Sequence, residues 1–384
     1  MRLGINGLFW NRETTGSGQY AHQLVRGLLI LPDGPECLLF TAKEQMVKRG
    51  PLIPRSKMQE CSLSPPIPLT KNLSKLWFEQ ISFPRACLRQ EVDLAHVPYF
   101  APPLRIGSKI VVTIHDLIPL ILPAYRGSIL VRLYTRLVAM GAGRASAIIT
   151  DSRSSKKDIV DLLRVPAERV HVVYLAAKEM FKPTRDAEQL DVVRQKYGLE
   201  GEYILYLGGF DQRKNLKTLL SAFALMDDSL KARTHLVIAG TLPRENTPFF
   251  PDPRLAVERL GLRDRVRFVG WVPEEDKPAL YSGATLFVFP SLYEGFGLPP
   301  LEAMACGTVV IVSDRSSLPE IAGEGGLLVD PHNAGDLAGA MSTLMEDEER
   351  REELASKGLE QARRFSWPKT AAATMAVYRS VVTR

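Results

Sequence analysis

The chain has 384 residues, a net charge of +6, 45% hydrophobic residues and 24% charged residues. That length holds two α/β domains with a large core, and the balanced composition excludes a disordered, collagenous or disulfide-built protein. No apolar run reaches bilayer length, the first residues read as a strand rather than an export signal, and Cys37, Cys61, Cys87 and Cys306 lack metal spacing, so a cytoplasmic protein is expected.

The positive charge favours anionic partners, but no recognition motif or basic tail points to nucleic acid. Arg2 to Phe9 reads as the first strand of a parallel sheet. A polar turn with Gly16 and Gly18 follows, then Ala21, Leu24, Val25, Leu28 and Leu29 at helical spacing. Strand, Gly-x-Gly turn and helix make the opening unit of a doubly wound domain. The turn lacks the Gly-Lys-Ser/Thr ending of a Walker loop.

Residues 42–89 are basic: Lys43, Lys48, Arg49, Arg55, Lys57, Lys71, Lys75, Arg85 and Arg89 against Glu44, Glu60 and Glu79. Leu52, Ile53, Leu73, Leu76, Trp77, Phe78 and Phe83 are interleaved. Two readings stand side by side: a core helix with a solvated charged face, or peripheral contact with an anionic membrane face.

Val92 to Val97 is a short strand, and Lys109 to Ile114 is apolar enough for the middle of a parallel sheet. The latter ends in His115 and Asp116, at the carboxyl end where open α/β sheets bind ligands. A lone histidine is more often structural; this position favours a functional one. Tyr125 to Ala142 reads as a helix with Ile129, Leu130, Leu133, Leu137, Val138 and Met140 inward and Arg126, Arg132 and Arg136 outward. Ala147 to Thr150 is a strand, Asp151 to Ser155 caps the next helix, and Arg169 to Tyr174 is the last strand of the first domain.

The pattern loosens from Glu179 to Glu202, the expected linker, and restarts with a strand from Tyr203 to Gly209. Arg213 and Lys214 follow in the turn, where cations can reach a diphosphate. His235 to Gly240 and Val266 to Pro273 are further strands, and Ala284 to Pro290 leads into the most informative stretch of the chain. There Glu294 opens a loop, Gly295 and Gly297 let the backbone bend, Pro299 and Pro300 begin a helix, Glu302 falls in its first turn and Gly307 ends it. A glycine loop feeding a helix N-terminus suits a phosphate or an oxygen-rich ligand, and a carboxylate accepts two hydrogen bonds from a vicinal diol.

The run from Glu294 to Glu302 resembles the E-x7-E signature of the retaining glycosyltransferases of family 4, and matching segments extend the resemblance over most of the chain. It implies the GT-B fold: α/β, two Rossmann-like domains facing across a cleft, with the helix after Phe365 crossing back to the first. The expected division is an acceptor-binding domain over 1–183 with 366–384, and a nucleotide-sugar-binding domain over 184–365. By the same resemblance Glu294 holds the donor sugar and Glu302 its ribose. Gly295, Phe296, Gly297 and Leu298 face sugar and diphosphate through their amides, Lys214 meets the diphosphate, and the backbone of Val272 meets the base. Gly208 begins the phosphate turn; the arginine usual after it is replaced by Gly209, and Arg213 is the inferred substitute. Gly16 and Gly18 would lie near donor phosphate and acceptor, and His115 near the reacting sugar.

The implied reaction is a retaining sugar transfer from a nucleotide-diphosphate sugar, GDP-mannose first, to a glycan or lipid-linked hydroxyl in cell-surface polysaccharide assembly. The phosphate oxygen would accept the acceptor's proton. No Asp-x-Asp motif appears, so no metal or other cofactor is expected. A nucleotide-sugar epimerase of the same fold and a non-catalytic nucleotide-sugar binding protein are the competing readings.

Overall fold

The computed structural model describes residues 1–12, 15–42, 57–65 and 70–383. Among them two compact units separate, one formed by Met1–Leu175 with Ser366–Arg384, the other by Ala176–Phe365.

The first unit is built on strands β1 (Arg2–Asn6), β2 (Glu36–Ala42), β3 (Met58–Leu63), β4 (Leu94–Val97), β5 (Lys109–Thr113), β6 (Ala147–Thr150) and β7 (Val170–Val172). They pair in parallel in the order β3-β2-β1-β4-β5-β6-β7. β5 carries Ile110, Val111, Val112 and Thr113 fully inside, as a strand covered on both faces requires. Leu38, Phe40, Phe83, Cys87, Val112 and Ile148 form part of one core. The order reverses between β1 and β4, which makes the carboxyl ends of these central strands a natural ligand crevice.

The helix Trp367–Val382 belongs to this unit and packs on the helix Gly16–Ile30. A Cβ on Gly27 would lie 2.8 Å from Cβ of Ala371, so glycine permits the close approach. Ser366 caps the returning helix, and Thr370 donates a 2.7 Å hydrogen bond to the Tyr174 carbonyl.

Two expectations meet the structure here. In residues 42–89, Phe78 and Phe83 are buried in the core, while Trp77 is half-buried and Leu73 exposed. Lys43, Glu44, Lys48, Arg49, Leu52, Ile53 and Arg55 lie outside the described residues. The helix Ile129–Gly143 has the apolar periodicity expected, but Ile129, Leu130, Leu133 and Met140 point outward. Its inward face is made by the small Gly141 and Ala142 with Val138. Small residues let a helix lie close on its neighbours, and Gly141 approaches the Pro102 carbonyl so closely that a Cβ would meet it at 2.7 Å.

The second unit contains β8 (Glu202–Leu207), β9 (Thr234–Ala239), β10 (Val266–Gly270), β11 (Leu286–Phe289), β12 (Val309–Ser313) and β13 (Gly326–Val329). They are all parallel, in the order β10-β9-β8-β11-β12-β13, with the reversal between β8 and β11. The stretch expected to be a loose linker contains the helix Ala187–Tyr197, capped by Asp186 and ended by Gly198 at φ +62°. Only Val193 of that helix is buried, which explains its faint periodicity.

Candidate functional site

The reversal between β8 and β11 brings two loops together. After β8 the chain runs through Gly208, whose N–H bonds the Ala239 carbonyl at 3.1 Å. Gly240, at φ +147°, packs so closely on this turn that a Cβ would sit 2.2 Å from the Gly208 carbonyl. The turn tightens into Gln212–Lys214 and ends at Asn215, which holds φ +59°. Asn215 offsets that strain by donating to the carbonyls of Pro290 (3.0 Å) and Pro331 (2.7 Å), tying the turn to the end of β11.

The loop after β11 is fixed with equal care. The Glu294 amide donates to Ser316 Oγ at 2.9 Å, and Ser317 Oγ donates to the carbonyls of Glu294 (3.0 Å) and Phe296 (2.5 Å). Gly297 takes φ +120° immediately before the helix Leu298–Ala305, with Pro299 and Pro300 in its first turn. The Phe296 side chain is buried edge-on against Phe365. Gly295 and Gly297 are buried and Leu298 half-buried.

The two loops meet through charge. Glu294 Oε1 lies 2.7 Å from Lys214 Nζ, and its Oε2 lies 2.7 Å from an Arg213 nitrogen. Arg213 also donates to the Tyr293 carbonyl at 2.8 Å and faces Asp211 at 3.3 Å. Lys214 stands 4.8 Å over the Phe289 ring. Burial alone would push the Glu294 carboxyl up; Lys214 and then Arg213 outweigh it and hold the group below the usual carboxylate range. Glu294 is therefore ionised at neutral pH, a fixed acceptor between two fixed donors.

Glu302 behaves in the opposite way. It falls in the second turn of the helix rather than the first, because the helix already begins at Leu298. It is 7% exposed, and its Oε2 accepts a 3.0 Å hydrogen bond from the Tyr281 hydroxyl. Burial dominates and pushes its carboxyl up to about 7; Lys277 and Lys178 draw it down while Glu274 opposes them. Those three form their own ion cluster, with Lys178 2.7 Å from Glu274 and Lys277 bonded to the same carboxylate. Val272 follows β10 and is 4% exposed.

The remaining expected residues belong to the first unit. His115 follows β5, and its Nδ1 lies 2.6 Å from Oδ2 of Asp151, which follows the neighbouring β6. Burial would pull the imidazole down; the Asp151 carboxylate, helped by Asp116, more than reverses this and raises it above the ordinary histidine value. Tyr20 stands edge-on to the ring at 4.9 Å. Its hydroxyl joins a buried chain: Tyr20 to Thr113 at 2.9 Å, Thr113 to His96 at 2.8 Å, His96 to Tyr378 at 2.6 Å. Burial lowers His96 to about 3, so it is neutral and carries one donor and one acceptor nitrogen, as such a chain needs. Gly18 lies where a Cβ would be 2.1 Å from the Arg12 carbonyl, while nothing stands within 4 Å of a Cβ on Gly16. Glu13 and Thr14 of this turn lie outside the described residues.

Arg213, Lys214 and Glu294 are thus in direct contact, and Gly208 and Gly295–Leu298 belong to the same two loops. Sequence reading did not single out Tyr281, Asp211, the Lys178–Glu274–Lys277 cluster or the partnership of Asp151 with His115. Only the last had a local signal: two adjacent parallel strands that each end in a polar residue.

Comparison with known proteins adds the following. The model described as "Glycosyl transferases group 1" matches residues 191–361, and the one described as "Glycosyltransferase Family 4" matches residues 14–177. The chain is 32% identical over 372 residues to "O-antigen chain mannosyltransferase B" of Escherichia coli, covering 95% of this chain and 96% of that one. Among solved structures, a sucrose-phosphate synthase from Thermosynechococcus elongatus matches with a TM-score of 0.78 at 22% identity, covering 100% of this chain and 99% of that one. Anabaena Alr3699/HepE, solved with UDP and glucose, matches with a TM-score of 0.76 at 19% identity, covering 99% of this chain and 100% of that one. At these identities the two structures bear on the fold alone.

Proposed function

The chain belongs to the family 4 glycosyltransferases with the GT-B fold, and from that membership we propose that it moves a sugar, with retention, from a nucleotide-diphosphate sugar to a hydroxyl of a glycan or lipid-linked acceptor. GDP-mannose is the first donor to test and cell-surface polysaccharide the expected destination. The named activity of the Escherichia coli relative supports the sugar and the setting. The uracil nucleotide in the Anabaena structure makes a UDP-sugar the comparison donor.

The observation that carries this reading is the buried cluster in which Glu294 is held by both Lys214 and Arg213, at 2.7 Å each, where the β8 and β11 loops meet. Sugar transfer separates charge: a diphosphate leaves while the anomeric carbon becomes cationic. In this proposal Lys214 and Arg213 receive the departing diphosphate, aided by the loop amides from Gly295 to Leu298 at the helix N-terminus. Glu294, kept ionised by the same cations, accepts hydroxyl hydrogen bonds from the sugar. Glu302 accepts from the ribose diol, the Val272 backbone meets the base, and Gly208 lets the phosphate turn close. In the first unit His115, oriented by Asp151, positions the reacting sugar or the acceptor, and Gly16 and Gly18 keep side chains away from it. The leaving phosphate takes the acceptor's proton on the front face, and the cations supply the charge a metal would otherwise provide.

A panel of GDP- and UDP-sugars titrated by calorimetry, followed by NMR of the product linkage, tests this. The expected result is one tight donor, turnover unaffected by EDTA, and a product with the donor's anomeric configuration. Full turnover by Glu294→Ala, inversion at the anomeric carbon, or epimerisation of the donor without an acceptor would each overturn it.

A further inference from the structure

Among the described residues, Glu91, Arg164, Asn215 and Ser316 have a left-handed backbone without being glycine. Such a φ strains an L side chain and persists only where the surroundings impose it. Arg164 ends the helix Arg153–Leu163, and Glu91 comes just after the helix Phe83–Arg89, where a left-handed turn is a common stop. The other two follow β8 and β12, the strands on either side of β11. Each reaches the loop after β11 that lies between them. Asn215 donates to the Pro290 carbonyl at 3.0 Å, and Ser316 Oγ accepts the Glu294 amide at 2.9 Å. Both strained residues of the second unit thus grip one short segment, 290–294.

Asparagine tolerates this backbone better than most residues; serine has no such excuse. Ser316 holds φ +53° in the turn between β12 and the helix Leu318–Ala322. A turn of that shape by itself calls for glycine. What serine adds is an Oγ, and that Oγ receives the Glu294 amide. Its neighbours fit the same loop. Ser317, fully buried, donates to the carbonyls of Glu294 and Phe296, and Leu318 stands where a Cβ on Gly297 would lie 2.9 Å away. Glu294 is therefore held by its amide, by its carbonyl and, through Lys214 and Arg213, by its carboxylate. A group fixed at all three points has little freedom left in where its carboxylate stands.

We propose that Ser316 is a positioning residue, whose strained backbone is kept because it aims Oγ at the Glu294 amide and so sets where the Glu294 carboxylate meets the donor sugar. The inference rests on the donor-sugar role proposed for Glu294 and adds the residue that fixes its aim. It separates two properties that ordinarily fall together. Activity follows the Oγ, whereas stability follows φ, as expected where strain is stored for function.

Three variants of the full chain test it. Ser316→Ala removes Oγ and keeps the strain, Ser316→Gly removes both, and Ser316→Thr keeps an Oγ while adding a branch that this φ disfavours. Hydrolysis of GDP-mannose, followed as GDP release, is the probe reaction. The alanine and glycine variants are each expected to lose about tenfold in kcat with KM within about twofold, and the threonine variant to keep the wild-type kcat. Melting should run in another order. The glycine variant is expected to melt about 2–4 °C above the alanine one, against the usual preference for alanine, and the threonine variant below the wild type. Amide hydrogen exchange over residues 290–297, measured without substrate, should quicken in the alanine and glycine variants and stay at the wild-type rate with threonine. Wild-type kcat in either variant that lacks Oγ would overturn the proposal. So would kcat falling in step with melting temperature across all three, which is what a merely structural serine predicts. A wild type that releases no GDP would instead count against the donor reading. Exchange then decides Ser316 alone: quickening without Oγ upholds its hold on Glu294, and an unchanged rate overturns it.

Discussion

In the proposed donor site, Glu302 is expected to make donor binding sensitive to pH near neutrality. Its carboxyl is pushed up to about 7 by burial, with Tyr281 donating to one oxygen. A ribose diol offers two donors, and only the ionised carboxylate can accept both while keeping the tyrosine bond. Donor binding therefore selects the ionised form. With a midpoint near 7 that form rises from about one-tenth of the free protein at pH 6 to about nine-tenths at pH 8, so affinity should rise about tenfold, or about 1.4 kcal/mol. Calorimetry in buffers of different ionisation heat should count about 0.9 proton released per donor at pH 6 and about 0.1 at pH 8. The intact nucleotide sugar must be used, because its diphosphate is doubly esterified and has no ionisation in this range, whereas the free nucleotide does. His115→Gln is the control for the histidine that Asp151 holds above its ordinary value. Glu302→Gln should flatten the profile and weaken binding.

The same shift has a consequence for stability. Below about pH 4 both folded and unfolded chains carry a protonated Glu302, and nothing is lost. Between there and the raised value near 7 the unfolded chain ionises first, so stability falls as pH rises. Above 7 the full cost, on the order of 3 kcal/mol, is present, and Glu302→Gln should melt higher than the wild type at pH 8. A donor affinity that is flat or falls from pH 6 to pH 8 would refute the reasoning, as would a glutamine variant that melts lower throughout.

Lys214→Met leaves Glu294 with Arg213 as its only cation and is expected to lower kcat by about 10²–10³, or about 3–4 kcal/mol, in a diphosphate-release assay; a change confined to KM would place Lys214 in ground-state binding. Asp151→Asn removes the counter-charge that raises His115, so the acid limb of the kcat/KM profile should move to lower pH. The pair stabilises the fold below the ordinary histidine value of about 6.5 and loses that contribution as pH rises through the raised one, so the melting deficit of Asp151→Asn should be larger at pH 6 than at pH 9; an equal deficit at both would count against the pairing. At Gly325 a Cβ would sit 2.4 Å from both N and Cα of Gly358, so Gly325→Ala should cost about 1–3 kcal/mol in urea unfolding, and a neutral result would mean the Glu348–Arg363 helix shifts freely.

What could be read from the chain alone follows from how local each constraint is. The loop from Glu294 into its helix was legible because Gly297 and Pro299 answer backbone demands that hold wherever the segment lies. The central strands were legible because parallel strands covered on both faces need unbroken apolar runs. The helix Ile129–Gly143 shows the limit. Periodicity reveals that one side is apolar; it does not say toward what that side points. The small residues Gly141 and Ala142 chose the inward side, and the larger apolar ones were left outside. The helix Ala187–Tyr197 escaped notice for the reverse reason, since a helix that buries one residue leaves almost no period.

The charge cluster is legible in a third, intermediate way. Lys214 and Glu294 are 80 residues apart, and no local pattern joins them. Yet each follows a strand, and the two strands are neighbours across the point where the sheet order reverses. Once the order is known, contact between their loops is demanded by topology, and the side-chain types then decide what the contact can do. A lysine and an arginine meeting two uncharged side chains there would have repelled each other in a buried place. Meeting Glu294, they are held in position before any ligand arrives, so in the proposed transfer the reorganisation that would oppose charge stabilisation would already be complete on folding. The ion pair is for this reason better read as a device for keeping two cations ready than as a source of stability, and it fits that buried pairs contribute little net stability while loss of one partner costs a great deal.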